Sequence, residues 1–510
     1  MDTPASARRG ALSTSGSTAS SVLVPLALTQ FIASYAGSNM NVAVSSIATD
    51  LNTTVIGVQT AISLFTLTMA ALMIPGSKLT DIWGRKFCFL LGLSIYGAGA
   101  LLAALAPSLG VLIVGYSLLE GIGSAFMIPP VYILVTVFFT TLPTRARSFG
   151  IISAAGGIGA SAGPLIGGII TTTISWRASF ILQVLVVAVI IYLAYRMIAD
   201  PGIHGAVPRF DLLGAILSAL GLFWIVLGVL QAGVYSWTTA KQDYYIGNTV
   251  VIPEGGISPV WLYVAIGVLF LIWFFLHIRS DERAGKEPLL HSRMFRVRTS
   301  NLGLTTQLIQ WLTLQGSFFV ISVFLQQIRH FSAIESGLAL VPATVGILLT
   351  SVIAGRLSKR WPEKVLIVAG FIGTIVGLLL VLLLTNATSS ILNIIPGLLL
   401  AGGGIGIMLT MSVNVVQSEF PERDQGDISG LSRSVSNLGS SLGTAIVGSV
   451  LVIQLTAANA NANYALALIV MIAFAAIGLL AAILLPLHPR PPQSTGNAAT
   501  GQGTATSTVQ

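Results

Sequence analysis

Between Arg147 and Arg177 the chain carries no charged side chain, and what is not apolar there is glycine, serine, threonine or one proline. A run of that length has no polar face to show to water. It is long enough to cross the hydrocarbon of a bilayer as a helix, which takes about 20 residues. Such runs recur between charged or turn-forming clusters, and we count fourteen, centred near residues 35, 66, 97, 122, 160, 187, 222, 269, 312, 345, 375, 402, 444 and 476. With 54% hydrophobic and only 8% charged residues among 510, the chain lies far from the soluble average of about a quarter charged. The pattern predicts an all-α polytopic membrane protein.

Charge sets the topology. Of the 25 lysines and arginines, all but Arg177, Lys241 and Arg329 fall in alternate connections and the termini. That asymmetry places both ends in the cytoplasm. The net charge of +8 is spread between spans and forms no basic patch for nucleic acid. The single cysteine, Cys88, excludes an intramolecular disulfide or a cysteine metal cluster. Residues 1–20 and 487–510 are small and polar and are expected to be disordered cytoplasmic tails. Between them we expect a six-helix bundle over 21–199, a two-helix insert over 200–298 and a second six-helix bundle over 299–486. The insert carries an outer loop, 235–259, and an inner linker, 279–298, whose basic, amphipathic sequence suits the membrane surface. Asn52 and Asn386 begin outward-facing triplets that fit glycan acceptors only in a eukaryotic secretory setting.

Gly159, Gly163 and Gly167 recur every fourth residue and give one helix a flat face for close packing. Pro164 bends that helix, and Gly168 follows it. A bent, glycine-faced helix is a packing hinge between bundles. Its pattern returns later: Gly159, Ser161, Gly163 and Gly168 are matched by Gly439, Ser441, Gly443 and Gly448, and LTDIWGRK at 79–86 by LSKRWPEK at 357–364. Spans one to six therefore repeat as nine to fourteen in the same orientation. Parallel repeats of this kind place a substrate near the midplane between halves and imply alternating access.

Four stretches carry a resemblance to a known family: SKLTDIWGRK (77–86), GASAGPLIGG (159–168), NMNVAVSSI (39–47) and LLEGIGSAFMIP (118–129). Together with fourteen spans they resemble the major facilitator superfamily, and within it the fourteen-helix drug:proton antiporters. The resemblance implies two six-helix bundles plus two extra helices. It implies a latch on the cytoplasmic side at Asp81, Gly84, Arg85 and Lys86, and an antiporter hinge at Gly159–Gly168. Departures accompany the matches. The acidic residue of the family's first helix would fall at Ala36, the basic residue of its fourth at Ser117, and Glu120 stands where glutamine is usual.

Glu120 is the one acidic residue in the middle of a span. A carboxylate at a helix centre costs about 2.5 to 3.5 kcal/mol on insertion scales, so Glu120 is the candidate proton site. Ser38, Asn41, Gln307, Gln310, Trp311 and Asn437 are candidates for the cavity wall, amides being hard to satisfy by local backbone bonding. We expect a monomeric plasma-membrane carrier, lipid-embedded, that expels small amphiphilic organic compounds by alternating access. Its energy source would be a proton gradient, with no cofactor and no metal. The alternatives are a proton-independent facilitator or lipid-type exporter, and a non-transporting membrane sensor. An enzyme is disfavoured, because the spans offer one carboxylate and no facing base.

Overall fold

The computed structural model describes residues 16–139, 142–199, 210–246, 249–358, 360–386, 388–420, 425–452 and 460–486. The expected tail residues 1–15 and 487–510, and part of the Asn386 triplet, lie outside them. The first half contains α1 (Gly16–Asp50), α2 (Val55–Trp83), α3 (Arg85–Ala104), α4 (Leu109–Leu112), α5 (Gly121–Phe138), α6 (Leu142–Thr173) and α7 (Trp176–Met197). Because α1 begins at Gly16, helix occupies the last residues of the stretch 1–20 expected to be a tail; no breaker separates Gly16 from the apolar run. A π-helical stretch, Ile113–Glu120, joins α4 to α5 as one span. The insert is α8 (Leu212–Tyr235) and α9 (Val260–Arg283). The second half contains α10 (Arg298–Val323), α11 (Ala333–Leu357), α12 (Glu363–Leu384), α13 (Ile394–Ser418), α14 (Gln425–Val452) and α15 (Ala460–Leu484).

Thirteen of these spans are long and apolar enough to cross a membrane by length and composition alone. The other is α14. Its serines at 432, 434, 436, 440, 441 and 449 are buried, so its polarity is spent on neighbouring helices rather than shown to lipid. Local chemistry fixes several ends. Thr54 caps α2 by accepting from Gly57 N at 3.1 Å, and Ser332 with Glu335 forms a reciprocal capping box on α11. Gly84, at φ 97°, separates α2 from α3, a conformation that side chains with a Cβ rarely adopt.

Both halves are built the same way. In the first, α6 packs on α1 so closely that a methyl at Gly159 would overlap the Phe31 carbonyl, and in the second, α14 packs on α10 so that a methyl at Gly439 would overlap the Leu308 carbonyl. Each of these helices also reaches across to the other half. Gly168 of α6 abuts Ala333 of α11, and Gly448 of α14 abuts the Gln59 side chain of α2. The glycine pattern thus serves two contacts: Gly159, Gly163 and Gly167 seat α1, while Pro164 and Gly168 meet α11 at Gly337 and Ala333.

Two connections differ from expectation. The loop 235–259 contains a small antiparallel hairpin, β1 (Tyr244–Ile246) and β2 (Thr249–Ile252), with Tyr245 opposite Val250. The linker 279–298 has its larger apolar side chains covered by protein, while Arg283, Lys286, Arg293 and Arg296 stay exposed. Its Leu289, Leu290 and Met294 are buried in a cluster with Ile74, Leu304, Val416 and Ile428, because these apolar side chains find helix ends from both halves to cover them. Glu282 accepts from Ser292 N at 2.6 Å and fixes the turn.

Candidate functional site

The two halves meet where α6 packs on α11, with Thr172 Oγ1 accepting from Ile334 N (3.0 Å), and along two further seams. On the first, α2 and α14 run antiparallel and are laced by Gln59 Nε2 to the Thr444 carbonyl (3.0 Å), Ser441 Oγ to the Ser63 carbonyl (2.8 Å) and Ser434 Oγ to the Ala70 carbonyl. At the end that bears the termini the ladder closes with an ion pair, Lys78 Nζ to Asp427 Oδ1 at 2.9 Å. On the second, α1 and α10 are joined, among the described residues, from mid-span to the far end. Gln315 Nε2 donates to the Gly37 carbonyl (2.8 Å), Ser322 Oγ and Gln326 Nε2 donate to the Asn41 carbonyl, and Gln327 Nε2 donates to Ser45 Oγ (2.7 Å). These bonds shut the far end.

The expected cavity residues divide between these places. Asn41 is fully buried beside α10, and neither atom of its side-chain amide has a hydrogen bond among the described residues. Ser38 faces α6 instead, where Gly163 makes room for its hydroxyl. Gln307 belongs to the interior of the second half: its Nε2 donates to the Ser412 carbonyl at 3.0 Å and its Oε1 accepts from Ser432 Oγ at 2.6 Å. Gln310 Oε1 accepts from Ser412 Oγ at 3.0 Å, leaving its nitrogen unbonded. Trp311 and Asn437 are half-buried.

Glu120 is wholly buried, at the end of the π-helical stretch, a geometry that re-aims side chains and often marks functional sites. It lies inside the first half, with the backbone of Gly99 against its own and the phenols of Tyr96 and Tyr116 within electrostatic reach. The Tyr96 hydroxyl donates to Gln183 Oε1 and lies within hydrogen-bonding reach of the Glu120 carboxyl, which has no basic partner among the described residues. Around it, Tyr35 and Asn39 converge on Ser179 Oγ. Ala36 and Ser117, where the resembling family carries charges, are tied into neutral bonds: the Ala36 carbonyl accepts from Tyr116 (3.3 Å), and Ser117 Oγ donates to the Ala61 carbonyl (2.7 Å).

The expected latch residues sit at the α2–α3 turn. Lys86 donates to the Tyr195 carbonyl at 3.4 Å and lies over that ring, within its own half; Arg85 is half-buried, and the Asp81 side chain lies outside the described residues. Among the described residues, the ion pair that joins the halves near this turn is Lys78 with Asp427. Lys78 was visible in the same motif, but nothing in the sequence paired it with α14. The closest approach to a metal-ligand group among the described residues is Asp211, His277 and Asp281, whose ligand atoms lie within 4.8 Å of one another. Asp211 there caps α8 through Gly214 N (2.7 Å) and also holds Leu289 N and His277 Nε2, so the trio braces the base of the insert.

A profile described as the Major Facilitator Superfamily matches residues 26–252 and 245–444. The chain belongs to this superfamily. Among curated proteins it is similar to the multidrug resistance protein Stp of Mycobacterium tuberculosis (strain CDC 1551 / Oshkosh), 26% identical over 79% of this chain and 70% of that one. The cephamycin export protein CmcT of Amycolatopsis lactamdurans is 28% identical over 84% and 85% respectively. The probable actinorhodin transporter of Streptomyces coelicolor (strain ATCC BAA-471 / A3(2) / M145) is 26% identical over 81% and 69%. The superfamily member described here is a multi-pass membrane transporter of the secondary type, and not an enzyme.

Proposed function

We propose that this transporter expels small amphiphilic organic compounds across the plasma membrane in exchange for protons, as a monomer with both termini in the cytoplasm. Relatives named for drug resistance and antibiotic export support efflux. The observation that carries proton exchange is Glu120: a wholly buried mid-span carboxyl with no basic partner among the described residues, facing the Tyr96 phenol. Such a group takes up or releases a proton only when its surroundings are wetted, so its occupancy follows the conformational cycle. The Tyr96–Gln183 and Tyr116–Ala36 bonds link the region around it to α7 and α1, and α1 carries the far-end contacts with α10.

The test is transport into proteoliposomes under an imposed pH gradient. Glu120→Gln is expected to abolish gradient-driven uptake of a fluorescent amphiphilic organic compound while leaving counterflow exchange of that compound intact. Gradient-driven uptake by that variant at the wild-type rate refutes the proton role. A second reading, proton-independent export, is favoured by the position of Glu120 inside one half, away from both seams. Efflux that survives collapse of the gradient selects it.

A further inference from the structure

Arg433 is a basic residue well inside α14, six residues beyond Asp427 and so roughly 9 Å deeper along the helix. It reaches across the gap between halves. Its guanidinium donates to the Tyr132 hydroxyl of α5 and stacks over that ring at 4.7 Å. The Tyr132 hydroxyl in turn donates to Gln30 Oε1 of α1 (3.2 Å), and Gln30 Nε2 to Ser34 Oγ (3.4 Å). Gly156 of α6 lies against Gln30, where a methyl would come within 3.0 Å of it. Arg433 and Asn437 lie one turn apart on one face of α14, and both are half-buried.

No carboxylate pairs with Arg433 among the described residues. Asp427 is engaged by Lys78, and Glu120 lies twelve residues from Tyr132 on the same span, roughly 18 Å along its axis. An intramembrane cation without a counter-ion marks a ligand path. The ring face of Tyr132 holds the charge without neutralising it. A guanidinium has five N–H donors in a planar fork, and the Tyr132 hydroxyl is the one acceptor seen here.

We propose that Arg433, with Tyr132, Gln30 and Asn437, binds the carboxylate of an amphiphilic organic monoanion. The proposal rests on the transport reading above and narrows its substrate class. A carboxylate takes two parallel N–H bonds from the fork. One fixed cation matches one negative charge, and a phosphate dianion would need a second. Because the anion competes with the Tyr132 hydroxyl for the guanidinium, loading also loosens a tie between halves.

The test is equilibrium binding of dansyl-phenylalanine and of its methyl ester to the full chain in nanodiscs, with no gradient, read by dansyl fluorescence. The wild type is expected to bind the acid at least about tenfold more tightly than the ester. Arg433→Gln should equalise the two. Arg433→Lys, which keeps the charge and loses the fork, should reduce the preference about threefold and serves where Arg433→Gln does not yield folded protein. Equal binding of acid and ester by the wild type, binding of neither, or a preference unchanged in both variants overturns the site. Because binding is read without transport, an acid preference that persists while vesicle efflux fails sinks the export reading alone.

Discussion

The Lys78–Asp427 pair gives the clearest test of how the halves are held. Its atoms are 2.9 Å apart, with side chains 23% and 16% exposed, so it is neither a screened surface pair nor a fully desolvated one. Charge-assisted bonds contribute about 1.5–3 kcal/mol when well buried, and exposed pairs 0–1. An intermediate value of about 1 kcal/mol is appropriate, corresponding to a roughly fivefold shift between states. Asp427→Asn should therefore raise the population opened at the end that bears the termini about fivefold. Ser77, next to Lys78 and buried against Gly430, provides the probe. In a Cys88→Ser background, a cysteine at 77 should react about five times faster with a maleimide in Asp427→Asn than in the parent. Lys78→Gln should do the same, the double variant should add little, and the swap Lys78→Asp with Asp427→Lys should restore slow labelling. Unchanged labelling in either single variant, or additive effects in the double, refutes the tie.

Gly439→Val should destabilise the protein by about 1–3 kcal/mol, the usual cost of overpacking, because its Cβ would overlap the Leu308 carbonyl; Gly355→Ala, in α11 where a Cβ meets nothing within 4 Å, should hold or slightly raise the thermal midpoint in detergent. Gln307→Leu should cost about 1 kcal/mol, the loss of two membrane-interior bonds, to the Ser412 carbonyl and from Ser432. The same thermal assay reads it, and a midpoint equal to wild type would show that the Gln307 bonds contribute nothing.

Span number and helical class were legible because hydrocarbon imposes one length and one way of satisfying the backbone. Even α14, too polar for a hydropathy criterion, was countable from its spacing between charged clusters. The glycine repeat was legible as close packing, yet its spacing could not reveal that Gly159 and Gly163 serve α1 while Gly168 serves α11. Amide side chains were harder still. Asn41 and Gln307 look alike in sequence, but one abuts the seam and the other ties α10 to α13 and α14, a difference set by which face of each helix meets which neighbour. The linker 279–298 misled because amphipathicity shows that an apolar face exists and not whether lipid or protein covers it. Lys78 with Asp427, and Arg433 with Tyr132, join residues about 300 or more positions apart, beyond any local pattern.

The distribution of charge over these contacts bears on how the molecule can switch. Within each half the far ends are fastened by guanidinium groups: Arg177 pairs with Asp50 and donates to the Ala106 carbonyl at 2.9 Å, and Arg329 donates to the Ser389 carbonyl at 2.7 Å. Between halves the ladders use hydroxyls and amides that donate mainly to backbone carbonyls. Those carbonyls already accept within their own helices, so releasing a serine strands no acceptor, and the serine can turn back to a carbonyl of its own helix. Bonds of this kind contribute about 0.6 kcal/mol each in a membrane. A seam built from them opens stepwise at small cost, whereas a buried ion pair would have to be broken whole. Among the described residues, the charged groups joining the halves are the Lys78–Asp427 pair and Arg433, and seams of weak neutral bonds suit a rocking carrier.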